Sequence, residues 1–395
     1  MDIKLFLIEA LKAHKTNVSF NAFNLSDITI DAFIRIAIRD SKTSASYKFK
    51  RNKETNEITV DFTYIEEKEE TAPLNKGKVS SSTIFLKGID RNIEEKEEVT
   101  PYKNEKAKYV HLRERGDMSY VLEMDLYKSH LFAIHTSSAE RTLKNLRQYS
   151  YYLTGMLEGV TCYRVNGEVV DDEEIIYINL ELGIPYGEFK HKLELGHKRA
   201  KEVAKEITNG IPLDDAYKVL LTYAYIQKNV KYNFDYLKEI EAKPFSFETQ
   251  RIENAMVYGA LNDRLAVCEG FSWAMIYILK NLGVEAEPSF GKIEKEMGHQ
   301  WVKVKVNGEW YNVDPTIIYN DPEVAVARFL ISDNALRGEG YVIHDLNKRA
   351  ISKKYENNNL GNFLEEFSTN LPSLIKQGLP SYWKDYIFLE AELKA

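Results

Sequence analysis

The chain has 395 residues, 44% of them hydrophobic and 29% charged, and carries a formal net charge of −7. That length exceeds what one hydrophobic core usually needs, so two or three domains are expected. Basic residues are interspersed with acids rather than gathered into a stripe, which argues against a nucleic-acid binder, and no window approaches the roughly 18 uncharged apolar residues of a membrane span.

The first ten residues break their apolar run at Glu9 and lack a basic n-region and a small-residue cleavage site. No secretory leader is expected from them. The two cysteines, Cys162 and Cys268, could pair, but two thiols in so long a chain fit a reducing compartment better. A cytoplasmic location is the expectation.

In chain order, residues 5–13 have the spacing of a short amphipathic helix and residues 17–23 alternate like a strand. Leu25-Ser26-Asp27 then offers an N-cap for a helix through Ile38, and residues 44–50 and 58–65 predict a hairpin around a turn at 52–56. A similar order recurs downstream. Residues 130–134 read as a strand, and Ser137-Ser138-Ala139-Glu140 caps a helix to about Leu157. Strands at 161–165 and 175–182 then flank Asn166-Gly167 and an acidic turn. Residues 1–183 thus predict an N-terminal α+β region, with two β-α-β-β units as a reading of its internal order. Cys162 falls on one of these strands and is expected to be a small core residue.

Between the two stretches, Ile65-Glu66-Glu67-Lys68-Glu69-Glu70-Thr71-Ala72-Pro73 is echoed by Ile93-Glu94-Glu95-Lys96-Glu97-Glu98-Val99-Thr100-Pro101. Such runs are expected to be solvated turns or strand ends, with an acidic docking surface as the alternative. Residues 184–212 predict a connecting helix closed by Asn209-Gly210 and Pro212. A second helix follows at 214–230, within a segment at 213–345 that carries the chemistry. Residues 346–395 predict a helical extension broken at Pro372 and Pro380.

The chemistry begins at Cys268. Phe271, Met275, Ile278, Leu279 and Leu282 share one helical face, and Gly283 supplies a stop. Cys268 therefore belongs to the first turn of a helix, where the partial positive charge of the N-terminus favours a thiolate. Gly270 is expected to keep bulk away from that thiol. Taken alone, such a cysteine would read as a buried structural residue.

The downstream hairpin changes that reading. Residues 299–306 alternate, Asn307-Gly308 is a two-residue turn signal, and residues 309–314 alternate back. With that turn at the tip, paired residues sum to 615, so Asp314 lies opposite Trp301 and His299 is its diagonal neighbour. Diagonal neighbours lie about 7 Å apart, within reach of an imidazole–carboxylate hydrogen bond. Val302, Val304, Val306, Tyr311 and Val313 form the core face, leaving His299 and Asp314 together on the other. A thiol, an imidazole and a carboxylate in these settings suit a nucleophile, its general base and the base's orienter. The oxyanion of such a reaction needs donors. The Cys268 N–H is one, and the Tyr232 hydroxyl is a weaker candidate whose alternative is an aromatic packed at a helix end.

These motifs resemble those of the transglutaminase-like superfamily, in its bacterial type. The resembling residues are Tyr258-Gly259-Ala260-Leu261, Val267-Cys268-Glu269-Gly270-Phe271, His299 with Trp301, Trp310-Tyr311-Asn312-Val313-Asp314 and Phe329-Leu330-Ile331-Ser332-Asp333. The resemblance spans about residues 213–345. It implies an α+β, papain-like core in which a helix carrying the cysteine packs on an antiparallel sheet carrying the histidine and aspartate. It also implies Cys268, His299 and Asp314 as the triad. Gln300-Trp301-Val302 departs from the Ala-Trp-Asn common after the histidine, and no acidic cluster resembles the calcium sites of the animal enzymes.

The implied activity is cysteine-dependent hydrolysis or acyl transfer at protein or peptide amides through a thioester, with hydrolysis ahead of crosslinking. The alternative is a non-catalytic binding or scaffold module. No metal or cofactor is implied. His111, His130, His135, His191, His197 and His344 show no metal-ligand spacing, and no phosphate loop or dinucleotide fingerprint is present.

Overall fold

The computed structural model describes residues 3–21, 34, 37, 45–52, 55, 57–64, 82–84, 109–114, 118–148, 150–160, 162–170, 173–236, 252–293, 297–316, 323–326, 328–344, 349–356 and 358–389. The chain divides into two compact units, Met1–Asn75 and Lys76–Ala395.

The first unit holds α1 (Ile3–Lys12), β1 (Asn17–Asn21), β2 (Ala45–Arg51) and β3 (Glu57–Tyr64). The strands pair antiparallel in the order β1-β3-β2. Alternation explains its core: Val18, Phe20, Ile58, Val60 and Phe62 point to one face and meet Leu7, Ala10 and Leu11 of α1. The predicted helix through Ile38 lies outside the described residues except for Ile34 and Ala37, which are helical and buried. Both copies of the acidic repeat also lie outside the described residues.

The second unit opens with β4 (Ser82–Ile84), β5 (Val110–Arg113), β6 (Leu131–Thr136), α2 (Ala139–Gln148), α3 (Ser150–Gly155), β7 (Cys162–Val170) and β8 (Glu173–Glu181). Their sheet runs β4-β7-β8-β6-β5. Two departures from expectation appear here. The single helix predicted to Leu157 is two helices, and β7 runs through Asn166 and Gly167, which pair with Tyr177 and Ile176. Continuing the ladder to Val170 keeps backbone groups paired that an earlier turn would release. The stretch β6-β8-β7 has the same strand order and antiparallel pairing as β1-β3-β2.

Next come α4 (Tyr186–Thr208) and α5 (Asp215–Asn229). Helix α4 ends where Asn209 and Gly210 adopt positive φ, and Asp214 caps α5 by accepting the Ala216 N–H. Phe189 and Leu193 of α4 bury against the five-stranded sheet, while Ala200, Val203, Ala204 and Ile207 enter the core that follows.

That core is built from β9 (Lys231–Tyr232), β10 (Leu265–Ala266), α6 (Cys268–Asn281), β11 (Ala286–Ile293), β12 (Met297–Val306) and β13 (Glu309–Val313). Then follow β14 (Glu323–Ala325), α7 (Asp333–Gly338), β15 (Val342–Ile343), α8 (Asn358–Lys376) and β16 (Ile387–Leu389). The central sheet is antiparallel in the order β13-β12-β11-β15, and α6 packs on it with α4 and α5 behind. The fold is α+β, with the cysteine-bearing helix on the sheet that carries His299.

Pro372 does not break the chain's last long helix but lies inside α8. An interior proline costs about 3 kcal/mol. Burial of Leu360, Phe363, Leu364 and Phe367 outweighs it at about 1.5–3 kcal/mol per side chain. Among the described residues no helix is long and apolar enough to cross a membrane.

Candidate active site

Helix α6 begins at Cys268 because Val267, in extended conformation, delivers the chain from β10 straight into helical dihedrals. The helix buries Phe271, Ala274, Met275, Ile278 and Leu279 on the sheet side and stops at Gly283, whose φ is 77°. Ser272 Oγ donates to the Gln300 carbonyl at 3.0 Å, which ties the second turn of α6 to β12 beside His299. Cys268 itself is half-buried.

Gly270 has a different reason from the one its position suggests. A Cβ there would lie 2.4 Å from the Asn254 carbonyl oxygen. The glycine lets the backbone at 252–255 lie against the start of α6, and the Val267 N–H bonds that same carbonyl at 2.9 Å.

The hairpin register is the one the turn signal predicts. Val306 pairs with Glu309 and Val302 with Val313, and Asn307 and Gly308 both take positive φ at the tip. His299 and Asp314 meet accordingly, with Nε2 to Oδ2 at 2.7 Å. Cys268 is a further side-chain hydrogen-bond partner of His299. The three residues singled out in the sequence are thus brought together.

Their face of the sheet is closed rather than open. Trp301, Ile331, Leu336 and Tyr341 form a small core over it, and His299 is only 9% exposed and Asp314 1%. Trp301 stacks on His299 at 6.1 Å between centroids and donates Nε1–H to Asn312 Oδ1 at 3.0 Å. Asn312 in turn donates to Asp333 Oδ1 at 2.9 Å, and the same oxygen lies 3.2 Å from buried Lys303 Nζ. Asp333 starts α7 behind the N-cap Ser332. The strict polar–apolar alternation of β12 and β13 hid this, since the second face is filled by polar side chains that satisfy one another.

Electrostatics follow from that closure. Burial disfavours a charged imidazole, but the Asp314 carboxylate, its hydrogen bond and Cys268 outweigh burial and raise His299 from 6.5 to about 10. Burial would raise Asp314. Cationic His299, the Tyr341 hydroxyl and the Thr316 N–H instead hold it well below the usual carboxylate range.

Tyr232 is placed beside β10, the strand that leads to Cys268. Its backbone pairs in parallel with Ala266, two residues before Cys268, and its ring stacks on Phe271 at 6.2 Å and lies 5.0 Å from Phe234. Three of the histidines lacking metal-ligand spacing also find hydrogen-bond partners. His111 Nδ1 lies 2.7 Å from His135 Nε2. His197 Nε2 bonds buried Glu158 at 2.7 Å, its Nδ1 meets the Tyr127 hydroxyl, and Glu158 also accepts the Val257 N–H. These partners are 24 to 99 residues apart in the chain, beyond any spacing rule.

Residues 201–315 match the family profile described as the Transglutaminase-like superfamily. No curated protein matches the chain. Among solved structures, a TGase matches at 15% identity and a TM-score of 0.29, over 50% of this chain and 55% of that one. A candidate cysteine protease from Cytophaga hutchinsonii matches at 17% and 0.25, over 43% and 55%. A candidate protease from Parabacteroides distasonis matches at 12% and 0.21, over 49% and 46%. The chain thus spans about half the length of each structure it matches.

Proposed function

We propose, from the match of residues 201–315 to the transglutaminase-like superfamily profile, that the chain is a cysteine-dependent hydrolase or acyltransferase acting on protein or peptide amides. The observation that supports this most is the linked pair of contacts, Asp314 to His299 Nε2 at 2.7 Å and His299 to Cys268 at a helix start.

In this reading Cys268 Sγ loses its proton to His299 Nδ1 and attacks the amide carbonyl, forming a C–S bond and an oxyanion. The Cys268 N–H, in the first helical turn where no intrahelical acceptor exists, and the Tyr232 hydroxyl are the proposed donors to that oxygen. Collapse breaks the C–N bond, and the amine leaves with the proton from His299. Water or an amine then attacks the thioester while His299 takes its proton, and Cys268 is released. Asp314 holds the imidazole by Nε2 throughout and stabilises its cationic form.

Alkylation with iodoacetamide tests the pair without a known substrate. Cys268 is expected to react at mildly acidic pH, well below the range in which Cys162 reacts, and His299→Ala is expected to abolish that advantage. Equal reactivity of the two cysteines at every pH would overturn the reading. Peptide-library profiling of wild type against Cys268→Ala then identifies the acyl group, and partition between water and an added primary amine separates hydrolysis from transfer.

A further inference from the structure

Tyr341 has two contacts that the triad does not account for. Its hydroxyl lies 2.5 Å from Asp314 Oδ2, the same oxygen that bonds His299 Nε2. Its ring meets His299 edge-on at 5.8 Å and Trp301 at 5.3 Å, at interplanar angles of 68° and 88°. The residue is 3% exposed.

The surroundings fix this ring from the far side. The Arg328 guanidinium lies over it at 5.2 Å and is itself held by Glu339 at 2.6 Å. The Arg328 carbonyl accepts the Asp314 N–H at 3.0 Å, so one short segment holds both the carboxylate's backbone and the phenol's face. The Tyr341 N–H reaches the Leu336 carbonyl of α7 at 3.3 Å.

A phenylalanine would serve the packing equally well, so the hydroxyl is what needs explaining. A carboxylate that accepts one hydrogen bond on Oδ2 can rotate about its Cβ–Cγ bond. Here Thr316 N–H holds Oδ1 at 2.9 Å while two donors converge on Oδ2. Three directed bonds leave the carboxylate plane one orientation. Burial and the adjacent carboxylate push the phenol far above the ordinary tyrosine range, so it stays protonated and remains a donor.

We propose that Tyr341 is a positioning residue for the Cys268 reaction, its O–H locking the plane of Asp314 and thereby the ring orientation of His299 toward Cys268. This rests on the reading of Cys268 and His299 as nucleophile and base. The hydroxyl also shares the charge on Oδ2, which keeps the proton on His299 rather than letting it pass to Asp314.

The test uses the full chain and iodoacetamide, with the Cys268 peptide quantified by mass spectrometry across the pH range. Tyr341→Phe is expected to slow alkylation at mildly acidic pH by about tenfold, the size of one charge-assisted hydrogen bond, and to move the rate profile to higher pH. In an Asp314→Ala background the same substitution is expected to change nothing, because the phenol's target is gone. Tyr341→Phe matching wild type while His299→Ala is slow would overturn the proposal and leave the nucleophile reading intact. Equal slowing in both backgrounds would also overturn it. His299→Ala matching wild type would instead sink the nucleophile reading, and this proposal with it. Should Tyr341→Phe not fold, Arg328→Gln frees the ring face without touching the triad side chains. It is expected to give a smaller slowing that vanishes with Asp314→Ala, and a wild-type rate there would overturn the proposal.

Discussion

Asp314 is the most heavily restrained side chain at the site, and its value to His299 lies in that restraint as much as in its charge. Asp314→Asn would keep the volume but present a neutral amide, removing the charge that favours imidazolium and disturbing the ring's tautomer. Cys268 alkylation by iodoacetamide is expected to fall by on the order of 10²-fold at mildly acidic pH, with little change in far-UV circular dichroism. Gly270→Ala is expected to act differently. Its new methyl would press on the Asn254 carbonyl at 2.4 Å, so it should destabilise by roughly 1–3 kcal/mol in urea melts. Once folded, the variant should alkylate at the wild-type rate. At this scale the proximity of Cys268, His299 and Asp314 was legible because a helix start and a hairpin register each constrain position locally. Tyr341 was not, since it reaches Asp314 from 27 residues downstream, just before a strand of two residues.

The hairpin is the element that sets His299 against Asp314. Its tip requires two successive residues at positive φ, 51° at Asn307 and 84° at Gly308. Gly308→Ala strains the second of these and is expected to destabilise by about 1 kcal/mol, read as a lower midpoint in thermal melts. The turn dipeptide made the register readable, because a two-residue loop leaves one pairing and the valines select the buried face. What that pattern could not convey is the cover on the opposite face. The chain segment around α7 supplies it, its Asp333 meeting Asn312 and Lys303 of the hairpin, and polar residues in a strand read as solvent-facing unless their partners are known. Helix α8 gives the converse case. Pro372 signals a break, yet the aromatic face of Phe363 and Phe367 keeps the helix continuous.

Across the second unit, the segment after α7 is bound into the same core as the nucleophile's helix. Trp383 is fully buried among residues that include Phe271 and Met275, and its Nε1–H bonds the Ile207 carbonyl at 2.9 Å. Trp383→Ala is expected to destabilise by about 3–5 kcal/mol in denaturant melts. The His299–Asp314 pair adds a pH dependence whose sign is fixed. His299 is raised from 6.5 to about 10, so its contribution is complete below 6.5 and is lost as pH climbs through 10. Asp314 is depressed from 3.8, so its contribution is present above 3.8 and disappears as pH falls through the lower folded value. The destabilisation caused by His299→Asn should therefore be larger near pH 6 than near pH 10, as denaturant melts at the two values would read out.

The closed face behind the triad also governs where a proton can travel. Asp314, Tyr341 and Trp301 all pack against His299, and only 6% of its side chain meets solvent. In the proposed reaction, a substrate held at Cys268 would cover that exposure as well. The proton lifted from the thiol would then be kept for the departing group rather than lost to bulk water. Commitment of the first half-reaction is in this sense a matter of plumbing, set by the aromatic wall behind the imidazole.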